Sequence, residues 1–230
     1  MTIRFLDWDS RFFGLKIGQA DTDSATTESL ANLKNLKSAS GYDLVYWFAD
    51  SQGEDPQVIK NRGLPDPADI KIIFSKNDLV PENAENIEKY NGPVSEKLIG
   101  LAIESGHNSR FRKDSRLNGR FIEMYTTWIT KSVSGELADV VLVSQDQNVV
   151  NGFVTVRRND VIGTIGLIAV DPNFRGMGIG GSLMKAASNW CIESGCGELR
   201  VATQMENTGA CHLYKRQGYK RLMTKLVFHI

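Results

Sequence analysis

Apolar residues along the chain follow two spacings, and the first of them predicts β-strands. Short runs that are continuous or alternating in apolar side chains are typical of strands. The earliest pattern, at Phe12, Phe13, Leu15 and Ile17, predicts a strand or hairpin near the N-terminus. Later runs of this kind lie at 43–49, 71–74, 138–144, 149–156, 161–170, 198–203 and 222–230. Turn residues separate the runs between 138 and 170, which predicts an antiparallel meander.

The second spacing, with apolar residues three or four positions apart, predicts helices. Helices are expected around 30–36, from Pro93 to Gly106, from 118 to 133, from the turn at 175–182 to Gly195, and from 207 to 217. In the helix 118–133, Tyr125 and Trp128 fit the core face and need no ligand.

The polar stretch 75–92 predicts a linker, because it is rich in asparagine and poor in apolar residues. We therefore expect an N-terminal domain with its linker at 1–92 and a second domain at 93–230. The fold class expected is α/β, with a central mixed, mostly antiparallel sheet flanked by helices, and a small N-terminal α/β domain.

The composition excludes several classes of protein. Apolar residues make up 41% of the 230 residues and charged residues 23%, unlike collagen-like or disordered chains. The 27 basic and 27 acidic side chains cancel, so we expect no nucleic-acid partner. The chain has no apolar run of membrane-spanning length and no signal-like N-terminus, so we expect no membrane insertion and a cytoplasmic location. Its three cysteines form no C-x-x-C pair and indicate reduced, inert thiols.

The most informative segment is the glycine-rich stretch 175–182, between a predicted strand and a predicted helix. Glycines let a backbone approach a ligand closely, and free N–H groups at a helix start attract phosphate. A P-loop is excluded, because neither Gly180 nor Gly181 is followed by Lys and then Ser or Thr. Gly176, Gly178 and Gly181 fit a dinucleotide-binding fingerprint, but too little chain follows to form the second half of that fold.

Three segments of this region resemble the GNAT superfamily of acyl-CoA-dependent N-acyltransferases. Arg175-x-x-Gly178-x-Gly180 has the form of the family signature, and Val170-Asp171-Pro172 precedes it as in the family. The Asn, Leu-Tyr and Gly-Tyr spacing of residues 207–219 is similar to the second CoA-contacting segment of the family. This resemblance covers roughly residues 95–230. It implies a GNAT-like sheet, an acyl-CoA cosubstrate (acetyl-CoA foremost) and no metal.

A closer resemblance is to the TDP-fucosamine acetyltransferase branch of this superfamily. Residues 6–14, Leu-Asp-Trp-Asp-Ser-Arg-Phe-Phe-Gly, are similar to the N-terminal segment of that branch. Residues 109–111 and 199–204 look like two further segments of it, whereas 20–90 match poorly. The resemblance implies N-acylation of an amino-dideoxyhexose carried on a nucleotide diphosphate (TDP), for surface polysaccharide such as lipopolysaccharide.

The resemblance also implies which residues bind the acyl-CoA. The strand residues Ile168, Ala169 and Val170 would lie along the pantetheine arm, and the turn amides would surround the pyrophosphate. The binding residues of the turn and the second segment are Arg175, Gly176, Met177, Gly178, Ile179, Gly180, Gly181, Ser182 and Asn207. Tyr214 matches the general acid of the family for the departing thiolate. Because a phenol titrates above a thiol, a hydrogen bond from Tyr214 to the thiolate is an equally consistent role.

The acceptor side is less defined by the sequence. Arg110, Phe111 and Arg112 lie in a predicted loop at 107–114, where cations suit a diphosphate and an aromatic ring suits a base. A solvated loop is the alternative. His229 is expected to face solvent, because it alternates with apolar neighbours. Candidates for a general base or an anchor are His107, Glu123 and Glu206.

Two other functions fit the same sequence. An N-acyltransferase of a protein N-terminus or a small amine would share the CoA site, with an acidic peptide groove in place of the basic loop. A non-catalytic CoA-binding module would bind acyl-CoA without turnover. The apolar last strand would permit a homodimer, although nothing in the sequence specifies one.

Overall fold

The computed structural model describes residues 1–53, 63–147 and 149–230. Its helices are α1 (Asp7–Phe13), α2 (Thr27–Ser40), α3 (Glu96–Ser105), α4 (Arg110–Lys113), α5 (Phe121–Val133), α6 (Ile179–Glu193) and α7 (Thr208–Arg216). Its strands are β1 (Arg4–Phe5), β2 (Ile17–Thr22), β3 (Leu44–Asp50), β4 (Asp69–Lys76), β5 (Ile87–Lys89), β6 (Val140–Asp146), β7 (Val149–Asn159), β8 (Ile162–Val170), β9 (Glu198–Gln204) and β10 (Lys220–His229). Across these ranges, no helix has the length and apolar character needed to cross a membrane.

The described strands form one sheet, in the order β1-β2-β3-β10-β4-β9-β8-β7-β6-β5. The pairs β2–β3 and β8–β9 are parallel, and the other neighbours are antiparallel. The prediction of a mixed, mostly antiparallel central sheet flanked by helices is therefore confirmed, as is the meander of β6, β7 and β8. Because β4 lies between β9 and β10, strands from 1–92 and from 93–230 share this sheet. The domain boundary at residue 92 stays a prediction.

Both faces of the sheet are apolar and covered by helices. Along β6, Val141 and Val143 join the core beneath α3 and α5, whereas Val140 and Leu142 join the core beneath α6 and α7. This alternation follows from the geometry of a strand, whose successive side chains point to opposite faces. A third apolar group joins Leu33 of α2 to β3 and β10.

The first predicted strand is wrong in its N-terminal part, because residues 7–13 form the helix α1. Trp8 and Phe12, four residues apart, stack with their ring centroids 4.8 Å apart, which is a helical pairing. Gly14 ends the helix in the left-handed conformation, with a φ of 68°. Part of the predicted loop at 107–114 is also helical, as the short helix α4.

The predicted linker and the last strand both contact the rest of the fold extensively. In the predicted linker, β5 pairs with β6, and the backbone N–H of Glu82 donates to Asn189 Oδ1 on α6 at 2.9 Å. The last strand, β10, lies between β3 and β4 and is not a free edge. This strand has no open edge for a second copy of the chain, and the possible homodimer stays a prediction.

Candidate active site

A cleft of about 880 Å³ opens where strands β8 and β9 separate. The two strands pair in parallel only as far as Ile165 and Val201. A register shift between β7 and β8 bends β8 beyond that point, and the hydroxyl of Thr155 accepts a hydrogen bond from the Leu167 N–H at 2.9 Å. Bulges of this kind redirect a strand and end its pairing. The backbone of β8 that faces β9 is thereby left without a strand partner.

Most of the residues predicted to bind acyl-CoA line this cleft. They are Ile168, Ala169, Val170, Arg175, Gly176, Gly178, Ile179, Gly180, Gly181, Ser182, Asn207 and Tyr214. The side chain of Met177 is 68% exposed and lies against a neighbouring depression instead. The cleft is also lined by Tyr125 and Trp128, which the sequence analysis assigned to the core alone. Their helical periodicity gave no sign of this second surface.

The glycine turn forms an uncapped helix start on the wall of the cleft. Gly176 and Gly178 have φ values of 82° and 85°, which favour glycine over any other residue. Gly178 is the N-cap of α6 and offers no side-chain hydrogen bond, and the first turn carries no acidic residue. The helix ladder starts with Ser182, whose N–H donates to the Gly178 carbonyl at 3.1 Å. The N–H groups of the preceding residues 179–181 are therefore available to an anion, together with the positive end of the helix dipole.

Two of these glycines also allow a close approach between helices. A Cβ atom at Gly180 would lie 3.2 Å from Leu213 Cδ2, and one at Gly181 would lie 3.1 Å from Gln217 Nε2. Both distances are tighter than ordinary van der Waals contact. The turn is thus shaped on one side by packing against the region of α7 and open on the other side to the cleft.

Arg175 lies at the rim of the cleft and is already engaged. Its guanidinium forms an ion pair with Glu104 at 2.9 Å and donates to the Val170 carbonyl at 3.2 Å. Both side chains of the pair are partly exposed, and such pairs contribute at most about 1 kcal/mol. This energy is small enough for a bound phosphate to draw the guanidinium away from Glu104.

The helix α7 begins at the other wall of the cleft and carries Tyr214. The Asn207 side chain accepts a hydrogen bond from the Ala210 N–H at 3.2 Å and so caps the helix. Asn207 therefore has a local structural role in addition to its position in the cleft lining. Capping fixes the first turn of α7 and, through it, the position of Tyr214.

Tyr214 is nearly buried, with 2% of its surface exposed, yet it lines the cleft. Its ring lies against Phe74, with centroids 5.6 Å apart, and against Tyr219, with centroids 6.3 Å apart. Burial raises the pKa of Tyr214 above its ordinary value of 10.0, and the nearby Cys211 and Tyr219 act in the same direction. The phenol is therefore protonated at neutral pH. It can donate a hydrogen bond or a proton in the cleft, but it cannot act as a base there.

The residues predicted for the acceptor side are not gathered at one place. Phe111 is 7% exposed and stacks on Phe13, so its ring belongs to the hydrophobic core and is not offered to a base. Arg112 is exposed, with its Nη1 2.7 Å from Nδ1 of His107, a residue of the cleft lining. The other candidate bases are exposed and paired: Glu123 with Arg120, and Glu206 with Lys113. Within the described ranges, no cluster of three or more His, Cys, Asp or Glu is placed to hold a metal ion.

Arg110, which is partly exposed, belongs to a largely buried group that the sequence did not reveal, which we call the inner polar cluster: Tyr46, Asp69, Arg110 and His229. The guanidinium carbon of Arg110 lies 4.8 Å from the centroid of the Tyr46 ring, and the rings of Tyr46 and His229 lie 4.9 Å apart. One polar atom of each member is buried without a hydrogen-bond partner among the described residues: Tyr46 Oη, Asp69 Oδ1, Arg110 Nε and His229 Nε2. A buried polar group left unpaired costs about 1–3 kcal/mol. Four such atoms therefore favour a polar partner, for which an ordered water is sufficient.

His229 was expected to face solvent, and this expectation is wrong. Its side chain is 4% exposed, because β10 lies inside the sheet and this face of the strand is covered. The imidazole Nδ1 lies 2.5 Å from Asp114 Oδ2. Burial lowers the pKa of His229 to about 4, and the hydrogen bond to Asp114 opposes this shift only in part. Burial also acts to raise the pKa of Asp114, but hydrogen bonds from Arg116 and His229 outweigh it and keep that pKa below its usual range.

We expect this buried histidine to make the fold sensitive to mild acid. The unfolded chain takes up a proton on His229 near pH 6.5, whereas the folded chain does so only near pH 4. The stabilisation is therefore complete above pH 6.5 and is lost as the pH falls from 6.5 to about 4. The expected loss in the free energy of unfolding is about 3 kcal/mol. Urea unfolding at pH 7, 6, 5 and 4 measures it, and His229→Gln should lose this part of the pH dependence. Equal slopes in both proteins would contradict the assignment.

Comparisons with known proteins identify relatives of this chain. Residues 109–219 match the model of the acetyltransferase (GNAT) family. The chain is 26% identical over 227 residues to the dTDP-fucosamine acetyltransferase of Escherichia coli O6:H1. The alignment covers 94% of this chain and 92% of that protein. The match therefore includes the N-terminal part of the chain, which lies outside the family model.

Solved structures show the same fold. A GCN5-related N-acetyltransferase from Sphaerobacter thermophilus superimposes with a TM-score of 0.53 at 19% identity, over 88% of this chain and 64% of that one. The PaiA N-acetyltransferase from Thermoplasma acidophilum, solved in complex with coenzyme A, gives a TM-score of 0.50 at 16% identity. That match covers 60% of this chain and 97% of the other.

Proposed function

We propose that the chain, whose residues 109–219 match the model of the acetyltransferase (GNAT) family, transfers an acyl group, acetyl foremost, from CoA to the amine of a nucleotide-linked amino-dideoxyhexose. The observation that supports the sugar most strongly is the match to dTDP-fucosamine acetyltransferase over nearly the full length of both chains. We propose a TDP sugar accordingly, and with it a cytoplasmic role in surface polysaccharide synthesis.

The donor end of the cleft fits an acyl-CoA. The free N–H groups of 179–181 and the start of α6 suit the pyrophosphate, since they combine hydrogen-bond donors with a favourable dipole. The unpaired side of β8, at Ile168, Ala169 and Val170, suits the amide groups of the pantetheine arm. Arg175 adds a cation at the rim once it leaves Glu104.

The reaction is the attack of a neutral amine on the thioester carbon, followed by departure of the CoA thiolate. No protein nucleophile is needed, so the chain contributes position, stabilisation of charge and exclusion of water. Tyr214 is protonated and donates to the sulfur as negative charge develops there. The attacking amine loses one proton and the CoA thiolate gains one, so the products are an amide and a thiol.

The proposal is tested with a panel of amine acceptors. The protein is mixed with acetyl-CoA and TDP-linked 3-amino and 4-amino dideoxyhexoses, a peptide with a free N-terminus and a polyamine, and products are detected by mass spectrometry. One added acetyl mass on an amino sugar, with the peptide and the polyamine unchanged, supports the proposal and gives the position of the amine. Acetylation of the peptide or the polyamine alone would overturn it. Binding of acetyl-CoA with no turnover would leave a non-catalytic module.

A further inference from the structure

The inner polar cluster lies next to the cleft, one strand beyond its wall. Gln204 of β9 lines the cleft, and its partner in the next strand is Lys71 of β4, two residues after Asp69. Tyr125, which lines the cleft, lies close enough to Arg110 and Asp69 for their charges to act on its pKa. Trp128, also in the lining, packs edge-on against Phe111, the neighbour of Arg110. The cluster therefore adjoins the part of the cleft lined by Tyr125 and Trp128.

The position of Arg110 is fixed by aromatic rings. Its guanidinium carbon lies 4.2 Å from the ring centroid of Phe111, 4.8 Å from that of Tyr46 and 5.5 Å from that of Phe48. Stacking of this kind holds a guanidinium by its faces and leaves its edge for hydrogen bonds. A mobile surface arginine would bind any nearby anion, whereas this one presents its donors in one orientation.

The charges in the cluster are mixed, which argues against a phosphate. Asp69 is 6% exposed, and its charge acts on Arg110 together with that of Asp9 on α1. A phosphate placed here would meet two carboxylates as well as the guanidinium. A hydroxyl group suits this mixture of charges better, because it can both donate to a carboxylate oxygen such as Asp69 Oδ1 and accept from an N–H such as that of Arg110 Nε.

We propose that Asp69 and Arg110 form the subsite that recognises the ring hydroxyls of the acceptor sugar, a role that rests on the proposed function. The two residues act as specificity-determining residues. The ring is held by a donor and an acceptor at fixed positions, and its amine is thereby directed toward the cleft. The diphosphate of the same acceptor is left to the exposed cations outside the cluster, among them Arg112.

The test compares acceptors with and without a ring hydroxyl. Wild type, Asp69→Asn and Arg110→Lys are assayed with the accepted TDP-amino sugar and with its analogue lacking one hydroxyl. Asp21→Asn is the matched control, since Asp21 is an exposed acid on the same sheet that pairs with Lys225. Wild type and the control should prefer the hydroxylated acceptor by about 100-fold or more in kcat/KM. Each cluster variant should reduce that preference below about tenfold, with the KM for acetyl-CoA within about twofold.

Two results would overturn the inference in different ways. If an amino sugar is acetylated and both cluster variants keep the wild-type preference for the hydroxyl, the subsite is wrong and the proposed function stands. If only the peptide or the polyamine is acetylated, the proposed function fails and the subsite fails with it. Thermal unfolding identifies a variant that does not fold. The other variant then tests the subsite, because Asp69→Asn changes the proposed acceptor and Arg110→Lys the proposed donor.

Discussion

Replacing Tyr214 by Phe is expected to lower kcat about 100-fold and to leave the KM for acetyl-CoA within about twofold of the wild type. The phenol is the buried, protonated donor that lines the cleft from α7. Its hydrogen bond strengthens only as charge develops on the sulfur, so its loss affects the chemical step more than ground-state binding. Steady-state kinetics over both substrates measure the two effects separately.

Tyr219 offers a matched control for this substitution. It is also buried, packs against Tyr214 and lies 3.4 Å from the Ser188 hydroxyl, but it is not part of the cleft lining. Tyr219→Phe therefore removes a phenol oxygen from the same core and should leave kcat within about twofold. Full activity in Tyr214→Phe, or an equal loss in both variants, would contradict the assigned role.

Replacing Ser182 by Asp is expected to weaken acetyl-CoA binding about 10- to 100-fold without lowering the stability of the fold. Ser182 lies at the first turn of α6 and lines the cleft. A carboxylate there would repel a diphosphate bound at the helix start, by about 1–3 kcal/mol. The same carboxylate is compatible with the positive end of the helix dipole, so the free energy of unfolding should stay the same or rise slightly.

Ser182→Asn is the control, because it has the shape of Asp without the charge. Isothermal titration at low and high salt separates the two effects, since a charge repulsion is screened by salt and a steric effect is not. The expected result is weak binding in Ser182→Asp alone, with partial recovery at high salt. Equal dissociation constants in the two variants would show that the diphosphate does not lie at this helix start.

The donor side was predictable because its signals are local in the sequence. Gly176 and Gly178 are required by their backbone conformation, and the strand, turn and helix around them follow one another without interruption. The meander β6–β8 was found for the same reason. Even here the sequence did not show the register shift of β8 opposite Thr155 of β7, because a bulge depends on the register of the neighbouring strand.

The acceptor side was poorly predicted because it is assembled from distant parts of the chain. The insertion of β4 between β9 and β10 places Asp69 opposite Val227, two residues before His229, and no spacing in the sequence records this pairing. For His229, alternation with apolar neighbours correctly indicated a strand. The expected exposure would require one face of that strand to be open to solvent, whereas both faces of β10 are covered. The basic residues around Phe111 were predicted to bind the diphosphate from a loop, with a solvated loop as the alternative, whereas Arg110 packs against the rings of Tyr46 and Phe111.

Hydrogen–deuterium exchange with and without acetyl-CoA tests most directly whether the cleft between β8 and β9 is the donor site. The N–H groups of residues 179–181 lie outside the helix ladder and should exchange quickly in the free protein. Acetyl-CoA is predicted to slow exchange in peptides covering 166–170 and 176–182 and to leave β1 and β2 unchanged. Binding of acetyl-CoA without protection of these two segments would contradict the account.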